Sequence, residues 1–508
     1  MTGRLFGSSD LSAPPSRKRA AVLLAVGGYV NTGIVIVQGL LLIPLYLHYI
    51  GAHMYGLWLA SGGMLGMLGL VNFGISSMVI QRVASAYGQQ DLPKAGAYFI
   101  NGAAIYLGIC VLYGVIGWVA SIWLPQILKV ANADAELLRH CFQLAVVAMS
   151  IGIFNECLRS LAQALLRPVV PMVGMAVGRI LGIGATVWML FDDFGLWAIP
   201  VGTLTAESII FIVNLLNAMG LFRRLGSGMV LDRHIIRDYV RTSPALLMAR
   251  VGNTASQEAE PLLITMFLSP EVTTAYMVTR RAADIVLRML SVIVGSTMGS
   301  FAHLAGGGDN MKTNRIAINL LMLSFSLGAI GFATYVGANH TFVSLWVGES
   351  FALDHYIILF IGLGFFARTF QGLLGQMLYG LGDFVHTSMV ILLEGATRLI
   401  LAVWLLGTLG VIGVPMALAL SCIIAAVVLG CRLKSQLTMR FYFPAIARFL
   451  LSGMVLFGIC VSLTQIEMGI DSWIGFTLYL GVLLAGAMTM YTLMNWARCR
   501  EAYKSIII

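Results

Sequence analysis

Residues 20–47 read AAVLLAVGGYVNTGIVIVQGLLLIPLYL, without one charged side chain. About 20 apolar residues suffice to cross the ~30 Å hydrocarbon core of a bilayer. The run is therefore read as a membrane-spanning helix, and the same pattern recurs to the far end of the chain. Spans are expected at 20–47, 55–80, 97–123, 141–166, 169–190, 195–220, 243–268, 276–301, 315–337, 355–380, 384–406, 411–431, 444–465 and 473–496. Composition agrees: the 508 residues are 59% hydrophobic and 10% charged, whereas soluble domains hold about 25% charged residues to cover their surface. The expected fold class is an all-α polytopic membrane protein with about 14 transmembrane helices.

The net charge is +9, and its placement decides its meaning. The segment 1–19 is polar, contains Pro14 and Pro15, and ends in Arg17-Lys18-Arg19. The apolar run behind it is too long for a signal-peptide core, so 1–19 is expected to be a cytoplasmic tail. With that end inside, the cytoplasmic loops hold Arg82, Lys94, Arg167, Arg223, Arg224, Arg233, Arg237, Arg241, Lys312, Arg315, Arg432, Lys434 and Arg440. The 497–508 tail adds Arg498, Arg500 and Lys504, while the opposite loops hold only Lys129 and Arg139. Basic residues concentrate on the cytoplasmic side of membrane proteins, so both ends are expected inside. The arginines of the 221–242 connection are expected to lie near anionic headgroups or to serve as an ordinary topogenic loop; no nucleic-acid partner is expected. The outer loops are short and acidic, with Asp134, Asp192, Asp193, Glu349 and Asp354 among their residues.

Two stretches about 215 residues apart resemble each other. Arg179-Ile-Leu leads to GLWAIPV at 195–201, and Arg398-Leu-Ile leads to GVIGVPM at 410–416. Upstream, Arg159-Ser-Leu-Ala-Gln-Ala-Leu-Leu is echoed by Arg368-Thr-Phe-Gln-Gly-Leu-Leu. Six spans separate the copies, which gives them the same orientation, and parallel repeats of this kind pack around a substrate path. The expected organisation is an N-lobe at 20–220, a basic cytoplasmic linker at 221–242, a C-lobe at 243–434 and two further spans at 435–496.

Nine basic residues fall in or at the edges of apolar spans: Arg159, Arg179, Arg250, Arg280, Arg281, Arg288, Arg368, Arg398 and Arg448. All are arginine. One at the bilayer centre costs about 2.5–3.5 kcal/mol on insertion scales, so such residues face a bundle interior or a wet cavity. Arg159 and Arg448 lie near span ends and Arg280 one or two turns in, where the side chain can snorkel to the interface. The intramembrane acids are fewer: Glu156, Glu207, Glu258, Glu260, Asp284 and Glu394. Asp284 lies within helical reach of Arg280, Arg281 and Arg288 but can neutralise only one. Glu394 and Arg398, four apart, suit a helix ion pair. Arg250, Asn253, Thr254, Gln257 and Glu258 form a polar stripe on one helix, and Asn31 and Gln38 share a face of the first span.

Pairing between helices would account for some of these charges. The surplus of arginine, which binds phosphate through two parallel hydrogen bonds, suits a cavity for an anionic, phosphate-bearing substrate. The candidate substrate-binding residues are Arg179, Arg250, Arg281, Arg288, Arg368 and Arg398. Glu258, Glu260, Asp284 and Glu394 are candidates for ion coupling or charge pairing. Asn31, Gln38, Asn253 and Gln257 are candidate polar lining. The seven cysteines lack paired or metal-ligand spacing and read as small hydrophobes, so no metal or cofactor is expected.

The run PLYLHYIGAHMYGLW at 44–58, followed by LGLVNFGISSMVIQRVA at 68–84, resembles the opening of bacterial O-antigen and polysaccharide flippases. The segment from Glu260 through AYMVTRRAADIV at 275–286 resembles their seventh and eighth spans. They belong to the multidrug/oligosaccharidyl-lipid/polysaccharide exporter superfamily. The resemblance implies two six-helix lobes, two extra helices and a cationic lumen. It also implies transfer of a lipid-diphosphate-linked oligosaccharide across the bacterial inner membrane by alternating access. The implied partners are that substrate, membrane lipids and the polysaccharide polymerase and export machinery. The sequence departs from cation-coupled drug exporters of the superfamily in offering no acid in the first span. Two other readings stay open: a lipid II flippase, and a membrane enzyme such as a glycan polymerase, ligase or glycosyltransferase. A non-transporting scaffold would have no reason to bear the cost of the buried arginines.

Overall fold

A computed structural model of the chain describes residues 17–437 apart from 73–74, 131, 227, 229 and 307–309, together with 453, 455, 458 and 470–494. These residues form fourteen α-helices and short 3-10 turns, with no strand among them. The helices are α1 (Arg17–Tyr49), α2 (Ala52–Leu68), α3 (Ile75–Gly88), α4 (Leu92–Ile127), α5 (Asn132–Ala164), α6 (Val169–Phe191) and α7 (Ala198–Leu225). They continue with α8 (Arg233–Phe267), α9 (Pro270–Gly306), α10 (Asn310–Val347), α11 (His355–Gly380), α12 (Phe384–Leu409), α13 (Gly413–Leu437) and α14 (Trp473–Met494). Nine described helical segments are long and apolar enough to cross a membrane. The protein is a multi-pass, all-α membrane protein. The expected span at 444–465 and the tail at 497–508 lie outside the described residues.

Several helices exceed what a bilayer core requires. The 37 residues of α9 extend about 55 Å at 1.5 Å per residue, so its ends project beyond the hydrocarbon. The second expected span, by contrast, is divided. Helix α2 ends at Leu68, a 3-10 turn covers Gly69–Asn72, and α3 begins at Ile75. Gly62, Gly63, Gly66 and Gly69 crowd this region, and glycine is a poor helix former. Elsewhere side-chain caps fix the helix starts. Asp91 accepts from the Lys94 amide at 3.1 Å at the start of α4, with Pro93 in the first turn. Asp354 accepts from the Tyr356 amide at 2.8 Å at the start of α11. Each cap satisfies an amide that the helix itself leaves without a partner.

The described residues divide into two compact units, 1–250 and 251–508, with the boundary inside α8. Within the first unit α3 packs on α4 and α5, α4 on α5, and α7 on α5 and α6. Within the second, α9 packs on α10 and α11, α10 on α11, and α13 on α11 and α12. The second pattern is the first shifted by six helices. The internal repeat is visible locally as well. Gly195 (φ +55°) and Gly410 (φ +66°) each open a 3-10 turn that leads directly into α7 and α13. Both sit in the left-handed region where a side chain is strained. The GLWAIPV and GVIGVPM motifs are thus two copies of one turn.

The core of the second unit joins Ile264 of α8, Tyr276 of α9, Phe332 of α10, Ile361 of α11 and Leu418 of α13. Large apolar side chains are equally abundant outside: Val115 and Trp118 on α4, Ile400 and Trp404 on α12, and Ile474, Leu478 and Val482 on α14 are exposed. A helix apolar on its outer face as well as its inner one has lipid as its solvent.

In the first unit, the segment ahead of α8 is held against α4. The fully buried Asn101 side chain donates to the Val230 carbonyl at 3.2 Å and accepts from the Asp232 amide at 2.7 Å. Arg82 pairs with Asp238 at 2.5 Å, and the Tyr239 hydroxyl donates to the Tyr98 carbonyl at 3.3 Å.

Candidate functional site: an arginine-rich cavity in the second unit

Gly252 of α8 and Gly395 of α12 set the geometry. A Cβ added to Gly252 would lie 2.6 Å from the Ile391 carbonyl oxygen, and one on Gly395 would lie 2.6 Å from the Gly252 carbonyl carbon. The two backbones touch there, as small residues allow at helix crossings in membranes. Ser256 and Glu260 follow Gly252 at four-residue steps on the face turned to α12. Arg398 stands three residues beyond Gly395.

Glu260, 2% exposed, holds two arginines at once. One carboxylate oxygen accepts from Arg398 Nη2 and the other from Arg280 Nη1 on α9. Arg280 also donates through Nε to both Asp284 oxygens, at 3.2 and 3.3 Å, and lies 5.4 Å from the centroid of the Phe365 ring. Arg398 reaches Ser256 Oγ at 3.4 Å. Two guanidinium groups and two carboxylates thus balance within one network spanning three helices. A buried charge persists only when paired in this way.

Glu394 does not take the ion pair its spacing to Arg398 suggests. It accepts from Ser421 Oγ at 2.9 Å and lies 3.6 Å from Cys422 Sγ on α13. The reason is geometric. Arg398 points across the glycine crossing to α8, where Glu260 offers a carboxylate shared with Arg280. Glu394 stays within electrostatic reach of both Arg398 and Arg368.

Sharing Arg280 and Asp284 with this network is a cavity of about 640 Å³ lined by residues of α8, α9, α11 and α12. Gln257, Glu258 and Pro261 come from α8, and Arg280, Arg281, Asp284, Arg288 and Ser291 from α9. Arg368, Thr369, Gln371, Gly372, Gly375, Gln376 and Tyr379 come from α11, and Ile391 from α12. Four arginines face two carboxylates. Because Glu260 and Asp284 hold Arg280, the surplus of positive charge rests with Arg281, Arg288 and Arg368. Among the described residues neither Arg281 nor Arg288 takes an ion-pair partner. Arg281 is half-buried and Arg288 exposed to the cavity side.

The structure therefore brings together Gln257, Glu258, Arg281, Asp284, Arg288 and Arg368 on one cavity, while Glu260, Glu394 and Arg398 are buried outside its lining. Arg179 lies elsewhere, on α6 of the first unit. It stands within electrostatic reach of Glu207, which also accepts from Asn155 Nδ2 at 2.8 Å. Asn31 and Gln38 lie half-buried on α1, which packs on α6. Arg250 and Asn253 lie on α8, with side chains outside the described residues. Arg280, read from sequence as near enough to a span end to snorkel, is in fact buried at the centre of the network. Its signal was Asp284 one turn on; Glu260 was a charge-pairing candidate, but nothing in the sequence joined it to Arg280 across helices.

The chain is thus a multi-pass helical membrane protein with a repeated half and an arginine-lined cavity. The family model described as "Polysaccharide biosynthesis protein" matches residues 67–325, about half of the chain, and the chain belongs to that family. No curated protein matches by sequence. Solved structures match by fold. An inward-facing multidrug resistance MATE family transporter of the MOP superfamily is 14% identical with a TM-score of 0.65, over 81% of this chain and 98% of that one. The lipid II flippase MurJ, in an inward closed conformation, is 11% identical with a TM-score of 0.71, over 94% and 99%. A MOP superfamily transporter from Pyrococcus furiosus is 13% identical with a TM-score of 0.54, over 84% and 97%. The chain shares the fold of these solved structures.

Proposed function

We propose that the protein is a flippase and not an enzyme. It carries lipid-diphosphate-linked oligosaccharide units across the bacterial inner membrane, by alternating access, for assembly of a surface polysaccharide such as O-antigen, capsule or exopolysaccharide. The observation that carries this reading is the cavity of the second unit, where four arginines meet two carboxylates in a chain of the polysaccharide biosynthesis family. A diphosphate would lie against Arg281, Arg288 and Arg368, whose planar guanidinium groups suit its oxygens. The network around Glu260 ties α9 to α8 and α12, so that Arg281 and Arg288 stand at set positions before the substrate arrives. Glu258, on the cavity wall, is the first acid to test for coupling to protons or sodium, followed by Glu260 and Glu394. Both chain ends are cytoplasmic in this reading, which rests on the distribution of basic loop residues.

Deleting the gene and assaying surface polysaccharide together with lipid-linked intermediates, sorted by leaflet, tests the proposal. The expected result is loss of surface glycan with intermediates trapped on the cytoplasmic leaflet of viable cells. Lethality with cell-wall failure would instead favour lipid II as substrate. Normal transfer with unpolymerised units in the periplasm would overturn the flippase reading and favour an enzyme.

A further inference from the structure

We infer that the α11 wall of this cavity, built on Gln371, Gly372, Gly375 and Gln376, is a carbohydrate subsite separate from the arginines of α9. The inference rests on the proposed function and names where the sugar of that substrate sits.

The cavity-lining positions of α11 recur at helical spacing from Arg368 to Tyr379. Eleven residues of helix advance about 16 Å, much longer than a diphosphate group. Arg368 stands at one end, and every later lining residue of this helix is uncharged. A ligand bound at Arg368 by its phosphates would extend along a neutral polar surface.

Gly372 has no structural requirement to be glycine. It lies inside a helix, its φ is not positive, and a Cβ added there would meet nothing within 4 Å. Gly375 is similar: a Cβ would make only ordinary contacts, at 3.8 Å to Thr387 and 3.9 Å to Ile391. Glycine weakens a helix interior, and at Gly372 neither a turn nor a helix crossing offsets that. What the missing side chain leaves is room in the cavity.

Gln371 supplies the independent sign of a ligand. It is 7% exposed and lines the cavity, yet its amide takes no hydrogen bond among the described residues. Its donor and its acceptor are thus left open to whatever occupies the cavity. Gln376, half-buried one turn on, likewise takes none. An amide offers both a donor and an acceptor, which a sugar hydroxyl needs in turn. Tyr379, whose hydroxyl pairs with Ser388 Oγ at 3.3 Å, closes the row with an aromatic ring. Amides, an aromatic ring and the room left by two glycines, on a wall whose own residues beyond Arg368 are uncharged, fit a neutral polyhydroxylated ring. An acyl chain would leave both amides without partners.

The test uses the full chain purified in detergent and three probes: a polyprenyl diphosphate alone, and the same lipid carrying one and three sugars. Wild-type protein is expected to bind the three-sugar probe more tightly than the bare diphosphate. Gly372→Leu fills the space and is expected to lose about tenfold on the three-sugar probe, a change of about 1.4 kcal/mol, while keeping its affinity for the bare diphosphate. Gln371→Leu, close in volume, is expected to give the same selective loss and serves if the first variant folds poorly. Gly372→Ala is expected to melt no lower than wild type. Unchanged binding of the three-sugar probe by both leucine variants would overturn the subsite, as would equal losses on the sugar-free and sugar-bearing probes. Equal wild-type affinity for all probes would overturn the subsite alone. Wild-type protein that binds none of them would overturn the proposed function and the subsite with it.

Discussion

Glu260 of α8 and Arg398 of α12 are 138 residues apart in the chain and joined by a buried ion pair. Their side chains are each 3% exposed. The pair forms because Gly252 and Gly395 let the two helices touch two turns earlier along α8. It holds because Arg280 occupies the second oxygen of the same carboxylate.

Removing that carboxylate should be severe. Glu260→Gln leaves Arg398 without its ion-pair partner and Arg280 with Asp284 alone, and breaking a buried pair from one side costs about 3–5 kcal/mol. A lowered unfolding temperature of the purified protein is expected, with Glu260→Gln/Arg398→Gln recovering part of the loss. Additive losses in this double-mutant cycle would mean the two residues do not act together.

The glycine crossing should be equally intolerant. Gly395→Ala drives a methyl group into the Gly252 backbone, and overpacking of this kind costs about 1–3 kcal/mol. Gly184→Ala on α6, where a Cβ meets nothing within 4 Å, is expected to leave thermal stability unchanged or raised. Equal effects of the two substitutions would remove the crossing as the cause.

The cavity arginines should separate function from stability. Arg281→Gln and Arg288→Gln are expected to reduce complementation of a deletion strain strongly at normal protein level and melting temperature, since neither arginine holds an ion pair among the described residues. Arg432→Gln is the control. Its side chain, 44% exposed and outside the cavity lining, pairs with Asp383 at 2.6 Å, and Asp383 keeps Gln436 as a second partner at 2.9 Å. It should transport normally.

Asn101 should guard the chain ahead of α8. Asn101→Ala removes both of its hydrogen bonds to the backbone of Val230 and Asp232, each worth about 0.5–1.5 kcal/mol net. Trypsin cleavage after Arg224 or Arg233 in detergent is expected to accelerate about tenfold for each 1.4 kcal/mol of local opening. Cleavage at the wild-type rate would show that Asn101 does not hold this segment closed.

Much of the arrangement was legible in the chain. Apolar runs such as 20–47 give helices, and the shared Gly195 and Gly410 motifs give the same turn twice. The stripe of Gln257 and Glu258 does line a cavity, together with Arg281, Arg288 and Arg368. The division of the second span at Gly69–Asn72 was less legible, because hydropathy carries on across it and only the low helix propensity of its glycines marks the break.

Hydropathy and periodicity are local quantities, set by how each segment partitions between water and hydrocarbon. The sequence by itself therefore determined that this is a multi-pass helical membrane protein, built on a repeat and rich in intramembrane arginine. Which arginines are held and which face the cavity is not local. Arg398 passes over Glu394, four residues away, for Glu260 on another helix, and Arg280 joins it there. That choice depends on where helices distant in sequence cross, and close approach at Gly252 and Gly395 decides it. Only the tertiary structure could separate the arginines that hold the helices together from those that line the cavity.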